Sequence, residues 1–236
     1  MFVPDGVAAP HLHTSAGAAA AYATAIADER VLLHAERALY WPREKTLFVA
    51  DVHLGKAAAF RAGGVPMPRG ATASDLARLT RLVTQSGAER LVVLGDFLHA
   101  KSGRVAALDV AFKAWRAEHA SLAVTLVRGN HDDKAGDPPS DWDVDCVGEP
   151  HPLPPFLAQH LPSRPPTGYA LCGHVHPGVR LSDAHGGARL PCYVLGRRRA
   201  LLPAFGRLTG LALVRPAADE RIVAIAGTRL FALPTL

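Results

Sequence analysis

Cysteine is scarce in this 236-residue chain: Cys146, Cys172 and Cys192 form an odd set with no CxxC spacing. That argues against a disulfide framework and a cysteine-built zinc site, and reads as small buried residues in a reducing, cytoplasmic setting. Long hydrophobic runs are missing too. No stretch reaches the roughly 18 consecutive strongly apolar residues of a membrane-spanning helix. The alanine-rich residues 1–27 have no basic region ahead of them, so they read as an N-terminal leader rather than a signal peptide. Charge is sparse, with Asp, Glu, Lys and Arg making up 20% of the chain. Its balance is basic, +5 with histidine neutral, which tilts the partners toward anions such as nucleic acid, nucleotides or phosphorylated head groups.

Apolar residues, at 49%, are plentiful enough for one domain with a sizeable core over residues 28–236. "RVLLHAERALYWPREKTLFVAD" reads as three short strands turning near Ala35-Glu36 and at Pro42-Arg43-Glu44. "TASDLARLTRLVTQSG" spaces Leu76, Leu79, Leu82 and Val83 along one helical face, with Thr72 or Ser74 as cap and Gly87 as stop. "ERLVVLGD", "VAALDVAFKAWRAEHA" and "LAVTLVRGNHDD" then continue as strand, helix, strand. That order predicts an α/β class with parallel pairing through right-handed crossovers. From about residue 143 the short apolar runs are broken by Pro and Gly, and the second half reads mostly as strands.

Histidine is also abundant, at 12 residues, and its placement carries the chemistry. "LFVADVHLGK", residues 47–56, runs from apolar residues straight into Asp51 and His53. Positions i and i+2 share a face of a strand, so both side chains would point at one object. Similar clusters end other apolar runs: Gly95-Asp96-Phe97-Leu98-His99, Gly129-Asn130-His131-Asp132 and Gly173-His174-Val175-His176. Ligands of open α/β sheets gather outside the carboxyl ends of parallel strands. Carboxylate, imidazole and carboxamide donors suit Mn²⁺, Fe²⁺ or Zn²⁺ better than the oxygen-only cages that select Ca²⁺ or Mg²⁺. So many donors imply two ions, which a carboxylate can bridge at roughly 3.5–4 Å. One aspartate or histidine at a strand end is ordinarily a cap or a solvated turn residue. Three apolar runs each ending in such a cluster are not accounted for in that way. His11, His13, His34, His119 and His185 keep the plain reading, as surface or leader residues.

The blocks DxH, GDxxH, GNHD and GHxH, in this order over residues 46–180, resemble the signature set of calcineurin-like metallophosphoesterases. The resemblance implies a four-layer αββα sandwich, two packed mixed β-sheets flanked by helices, and a centre of two divalent ions, Mn²⁺ foremost with Fe²⁺ or Zn²⁺ as alternatives. It assigns Asp51, His53 and His176 to one metal, Asp96 to the bridge, and Asn130 and His174 to the other. A further ligand falls to His160, which ends an apolar run in "FLAQHLP", ahead of His151 in a proline-rich loop. His131 becomes the non-ligand histidine that stabilises charge on phosphorus or protonates the leaving oxygen, with Asp132 or Asp133 to orient it. The chain offers no cysteine or serine nucleophile and no P-loop, so the implied reaction is direct hydrolysis by a water that two metals activate.

Fold and metals do not fix the phosphoester. "GDFLHAK" places His99 three residues after Asp96, which resembles the block of double-strand-break repair nucleases in this superfamily and brings His99 among the catalytic residues. The UDP-sugar pyrophosphatases of lipid-A synthesis more often carry an acid or another polar residue there. "ADVHLGKAAAFRAGGVPMPRG" and "EPHPLPPF" followed by "GYALCGHVHPGVRL" resemble the bacterial ligase-associated DNA-damage-response endonucleases over about residues 31–236. That resemblance implies a manganese-dependent DNA phosphodiesterase acting in repair, single strands favoured, beside an ATP-dependent DNA ligase, a helicase and an exonuclease. One departure is "FLAQHLP", where two adjacent histidines are expected before the proline.

Lys56, Arg61 and Arg69 follow the first block and Arg128 sits beside the third, so they are the candidate contacts to the phosphates around a scissile bond. Phe60 or Phe97 could stack on a base, against the plainer reading that both are core. Arg197, Arg198 and Arg199 could form a DNA track, against the plainer reading of a solvated turn. A nucleotide or UDP-sugar pyrophosphatase would share the metals but carry an apolar cap, and no insertion of that character is seen. A non-enzymatic interaction protein would have lost a ligand block, and none is missing. A strand near the C-terminus would allow pairing across a homodimer.

Overall fold

Runs such as Thr46-Leu47-Phe48-Val49 have no polar side, and a strand of that kind needs both faces covered. A computed structural model, which describes residues 21–183 and 186–234, shows how the chain covers them. The first sheet follows chain order: β1 (Ala21–Ile26), β2 (Glu29–His34), β3 (Ala38–Trp41), β4 (Thr46–Val49), β5 (Arg90–Leu94), β6 (Ala123–Val127) and β7 (Asp145–Val147). Strands β1 to β4 pair antiparallel, and β4 to β7 pair parallel. Helices α1 (Lys56–Ala62) and α2 (Ala71–Ser86) fill the first crossover. Helix α3 (Ala106–Glu118) fills the second, and α4 (Asn130–Ala135) follows β6.

The second sheet contains β8 (His151–Leu153), β9 (Phe156–Gln159), β10 (Tyr169–Cys172), β11 (Pro177–Asp183), β12 (Gly186–Leu195), β13 (Arg199–Leu201), β14 (Ala212–Leu213), β15 (Arg221–Ala226) and β16 (Arg229–Ala232). Its order is β14-β11-β12-β13-β10-β9-β8, with β15 bridging β12 and β16. Within it β9, β10 and β13 run parallel.

Alternation along the central strands divides the core. Leu47, Val49, Leu91 and Val93 meet Leu76, Leu79 and Leu82 of α2 and Leu108, Phe112 and Trp115 of α3. Phe48, Val92 and Leu94 turn the other way, onto Phe156, Leu171, Tyr193 and Val223 of the second sheet. The Tyr193 hydroxyl donates across this layer to the carbonyls of His34 at 2.7 Å and Ala38 at 2.9 Å. The outer face of the second sheet holds a third cluster, with Val194, Ile222 and Ala224, against which Val214 and Leu233 pack. Among the described residues every helix precedes β8 in the chain, and the partly buried apolar residues packed against this cluster, among them Leu181, Val214, Phe231 and Leu233, are all outside helices.

Several local expectations change. Residues 1–20, with His11 and His13, lie outside the described residues, as does His185. The last part of the expected leader, however, is β1, paired with β2 from Ala21↔His34 to Ile26↔Glu29. Helix α2 has no side-chain cap: it starts after Gly70, which places Thr72 and Ser74 inside its first turn. It does stop at Gly87, whose left-handed φ of +65° lets its N–H reach the Val83 carbonyl. His34 is buried rather than on the surface, and His119 is half-buried, 3.0 Å from the Thr80 hydroxyl.

Candidate metal centre

The two sheets meet where β4, β5, β6, β9, β10 and β13 reach their carboxyl ends. The backbone after β13 joins the first sheet there: Phe205 N–H donates to the Ala50 carbonyl (2.7 Å) and Gly206 N–H to that of Asp51 (3.1 Å). Asp51 and His53 do not share a strand face as their spacing suggested. β4 ends at Val49, and both residues are left-handed, with φ of 54° and 51°. Asp96 (φ 53°), His174 (φ 70°) and His176 (φ 52°) adopt the same conformation. Each such residue costs about 1–2 kcal/mol relative to an ordinary backbone, and strain of this kind collects at functional sites. Backbone bonds hold the turns: Asp51 N–H to the Gly95 carbonyl at 3.1 Å, His53 N–H to that of Asp96 at 2.8 Å.

The donors converge in three overlapping groups, one of them His53, His99 and His131. Asp51, His53 and His176 each bring one donor atom within 4.8 Å of the others, and so do Asp51, Asp96 and His160. Asp96 faces both halves: Oδ1 lies 3.4 Å from His160 Nε2, while Oδ2 lies 3.8 Å from His53 Nε2. His160 Nε2 is also 3.0 Å from Asn130 Oδ1 and 3.0 Å from His174 Nδ1. His160 Nδ1 donates to the Leu94 carbonyl (3.1 Å), so in the neutral imidazole, the form that ligates a metal, Nε2 carries a lone pair. Acceptor oxygens of Asn130 and Asp96 thus face an acceptor nitrogen with no proton between them. A divalent cation satisfies that arrangement, since metal bonds of about 2.1 Å set neighbouring donors about 3.0–3.4 Å apart. His53 Nε2, buried without a hydrogen-bond partner, fits the same way. Burial first, then the Lys56 ammonium and the imidazoles of His131, His176 and His99, push the His53 pKa down to about 2, which keeps that lone pair free.

His131 and His99 stack beside this cradle, ring centroids 4.9 Å apart and planes 19° from parallel. His131 Nδ1 donates to the His99 carbonyl at 2.8 Å, so its Nε2, 4.0 Å from Asp96 Oδ2, turns toward the donors. His99 Nδ1 lies 3.4 Å from His53 Nδ1, and burial followed by the Lys56 and His131 charges lowers the His99 pKa to about 4.

The orienting role expected of Asp132 is corrected. Its buried carboxylate accepts the N–H groups of Phe97 (3.3 Å), Leu98 (2.9 Å) and Gly129 (2.9 Å), so it pins two loops together, and the His99 carbonyl orients His131. An acid at the third position of a helix is a capping pattern, and "GNHD" carries that signal.

The four cations separate. Lys56 is half-buried at the site, its pKa lowered by burial against the pull of Asp96 and Asp51. Arg61 donates to the Met67 and Pro68 carbonyls and ties the loop after α1, while Arg69 is exposed in that loop. Arg128 is held in a two-pronged ion pair with Asp137, both bonds 2.7 Å, so it is not a free phosphate contact. Arg199 bonds Glu220, and the turn of Arg197 and Arg198 precedes β13, at the opposite end of the parallel strands from the donors. His151, on β8, is paired in register with Ala158 of β9, whereas His160 is fully buried among the ligands.

Two glycines went unread as site residues. A Cβ on Gly95 would lie 2.2 Å from His160 Nδ1, and one on Gly129 would lie 2.5 Å from Asp96 Oδ1. The glycines of the GD and GN pairs leave room for ligands that arrive from other strands.

Residues 44–202 match the calcineurin-like phosphoesterase family over a span that holds every donor named above. The chain belongs to that family. This phosphoesterase is 41% identical to the Pseudomonas putida nuclease MPE, whose crystal structure it matches with a TM-score of 0.78 over 90% of this chain and all of that one. Against Yfce, a phosphoesterase from E. coli, identity is 19% and the TM-score 0.37, over 77% of this chain and 88% of that one. No curated protein matches the chain. Members of the family use divalent metals, and the donor groups of this phosphoesterase fit such ions.

Proposed function

We propose that this phosphoesterase is a manganese-dependent DNA endonuclease that prefers single strands, holds two ions and serves DNA repair in the cytoplasm. A ligase, a helicase and an exonuclease are its proposed functional partners. The observation that carries the reading is the likeness, over the whole of that chain, to a nuclease. Ions held by Asp51, His53 and His176 and by Asn130, His160 and His174, with Asp96 between them, would supply Lewis acidity toward phosphoryl oxygens and acidify a water. The protein's own part is positional. Asp51 is fixed by the N–H of His174, at 3.1 and 3.0 Å from its two oxygens, and Asp96 Oδ1 by the N–H of His131 at 2.9 Å. With its Nδ1–H committed to the His99 carbonyl, His131 can carry a second proton only on Nε2, the atom that faces the donors. As imidazolium it stabilises charge on the phosphoryl group and delivers that proton to the leaving oxygen. Its side chain is 33% exposed, so the proton is replaced from solvent.

The test is cleavage of covalently closed circular single-stranded DNA by metal-stripped protein resupplied with Mn²⁺, with Asp96→Asn in parallel. Linear product from the wild type and at least a hundredfold less from the variant is expected. Intact circles alongside hydrolysis of bis-p-nitrophenyl phosphate would retain the phosphoesterase and remove DNA as its substrate.

A further inference from the structure

Three rings in succession lead away from the metal cradle. His131 stacks on His99 at 4.9 Å, and Phe60 lies 5.8 Å from His99 with its plane tilted by 34°. Phe60 ends this series at the surface, 38% exposed, although a phenylalanine on a helix ordinarily turns inward. Phe97, the other aromatic near the site, is 1% exposed and packs edge-on against Phe112 at 5.4 Å, so core packing accounts for it fully. Core packing does not account for Phe60. The Lys56 ammonium lies 6.0 Å from the Phe60 ring centre, which puts a cation beside that ring. Val65, 47% exposed, is tied to Phe60 by its N–H on the Phe60 carbonyl at 2.9 Å.

We infer that Phe60, flanked by Lys56, is a binding subsite for an unstacked nucleobase next to the scissile phosphate. The inference rests on the nuclease reading and deepens it. A flat apolar face accepts any base, a neighbouring ammonium accepts the phosphate that follows it, and together they recognise a strand without reading its sequence. Bases within a duplex are stacked on one another and cannot reach such a face without being unstacked, so the subsite supplies a physical reason for preferring single strands.

The experiment compares kcat/KM for two strands of equal length, an oligodeoxythymidylate and a strand of abasic tetrahydrofuran residues, in the wild type, Phe60→Ala and Phe60→Trp. Stacking on an aromatic residue corresponds to about a 5- to 150-fold effect per base. The wild type is expected to prefer the strand with bases, the alanine variant to lose that preference by such a factor, and the tryptophan variant to keep it. Because the readout is a ratio, general damage to the site cancels. An unchanged ratio in Phe60→Ala, or no preference in the wild type, overturns the subsite and leaves the nuclease reading in place. A wild type that cleaves neither strand yet hydrolyses bis-p-nitrophenyl phosphate overturns both.

Discussion

Replacing Gly95 by alanine tests how His160 is held. Gly95 has φ of +75°, and a Cβ built on it falls 2.2 Å from His160 Nδ1, 2.4 Å from its Cγ and 2.6 Å from its Cβ. The left-handed backbone alone costs a non-glycine residue about 1–2 kcal/mol, and forcing apart packed groups adds about 1–3 kcal/mol. For a chain of this size, a total of about 2–5 kcal/mol lowers Tm by about 4–20 °C. The imidazole must retreat by about 1 Å, and a displacement of that size at a reacting centre can lower the rate about a hundredfold. It would also draw Nε2 out of its 3.0 Å contacts with Asn130 and His174. Gly87→Ala is the control, since Gly87 has φ of +65° but nothing within 4 Å of the added carbon. Calorimetric Mn²⁺ titration, thermal melting and diester hydrolysis should show the control slightly less stable and fully active, with Gly95→Ala losing a metal and most of its rate. A Gly95→Ala protein that matched Gly87→Ala in stability, metal stoichiometry and rate would refute the assignment of His160.

Two further perturbations test the packing. Tyr193→Phe removes the hydroxyl that joins the sheets and should cost about 1–3 kcal/mol; a urea midpoint equal to that of the wild type would show the cross-sheet bonds to be worthless. His34 is buried with neither ring nitrogen hydrogen-bonded, and burial lowers its pKa below the ordinary 6.5, the nearby Glu36 charge only partly opposing this. The unfolded chain therefore takes up a proton as pH falls through about 6.5 that the folded protein refuses, so stability is lost on acidification. His34→Leu should narrow the drop in urea midpoint between about pH 7.5 and pH 5, and an equal drop in variant and wild type would count against the buried-histidine account.

Much of the centre was legible because its ligands follow directly on apolar runs. β4, β5, β6 and β10 are short and buried on both faces, so Asp51, Asp96, Asn130 and His174 stand out at their ends. Other features depend on partners distant in sequence. Nothing near Arg128 announces its pairing with Asp137, and nothing near Asp132 shows that its oxygens serve Phe97 and Leu98. Phe60 and Phe97 are equivalent in the sequence. One lies within the short helix α1 with its ring at the surface and the other sits under Phe112 and Trp142, a difference made wholly by packing.

The chain by itself determined the α/β order, the parallel strands and the kinds of donor that end them, because hydrophobic periodicity and side-chain chemistry are local properties. Tertiary structure decided which donors meet. His160 on the second sheet enters the space left by Gly95 on the first, and the left-handed turns at Asp51 and His53 aim side chains that strand alternation would not have aimed. Such positions are set by the docking of two sheets, a relation between residues far apart in the chain that no local pattern encodes.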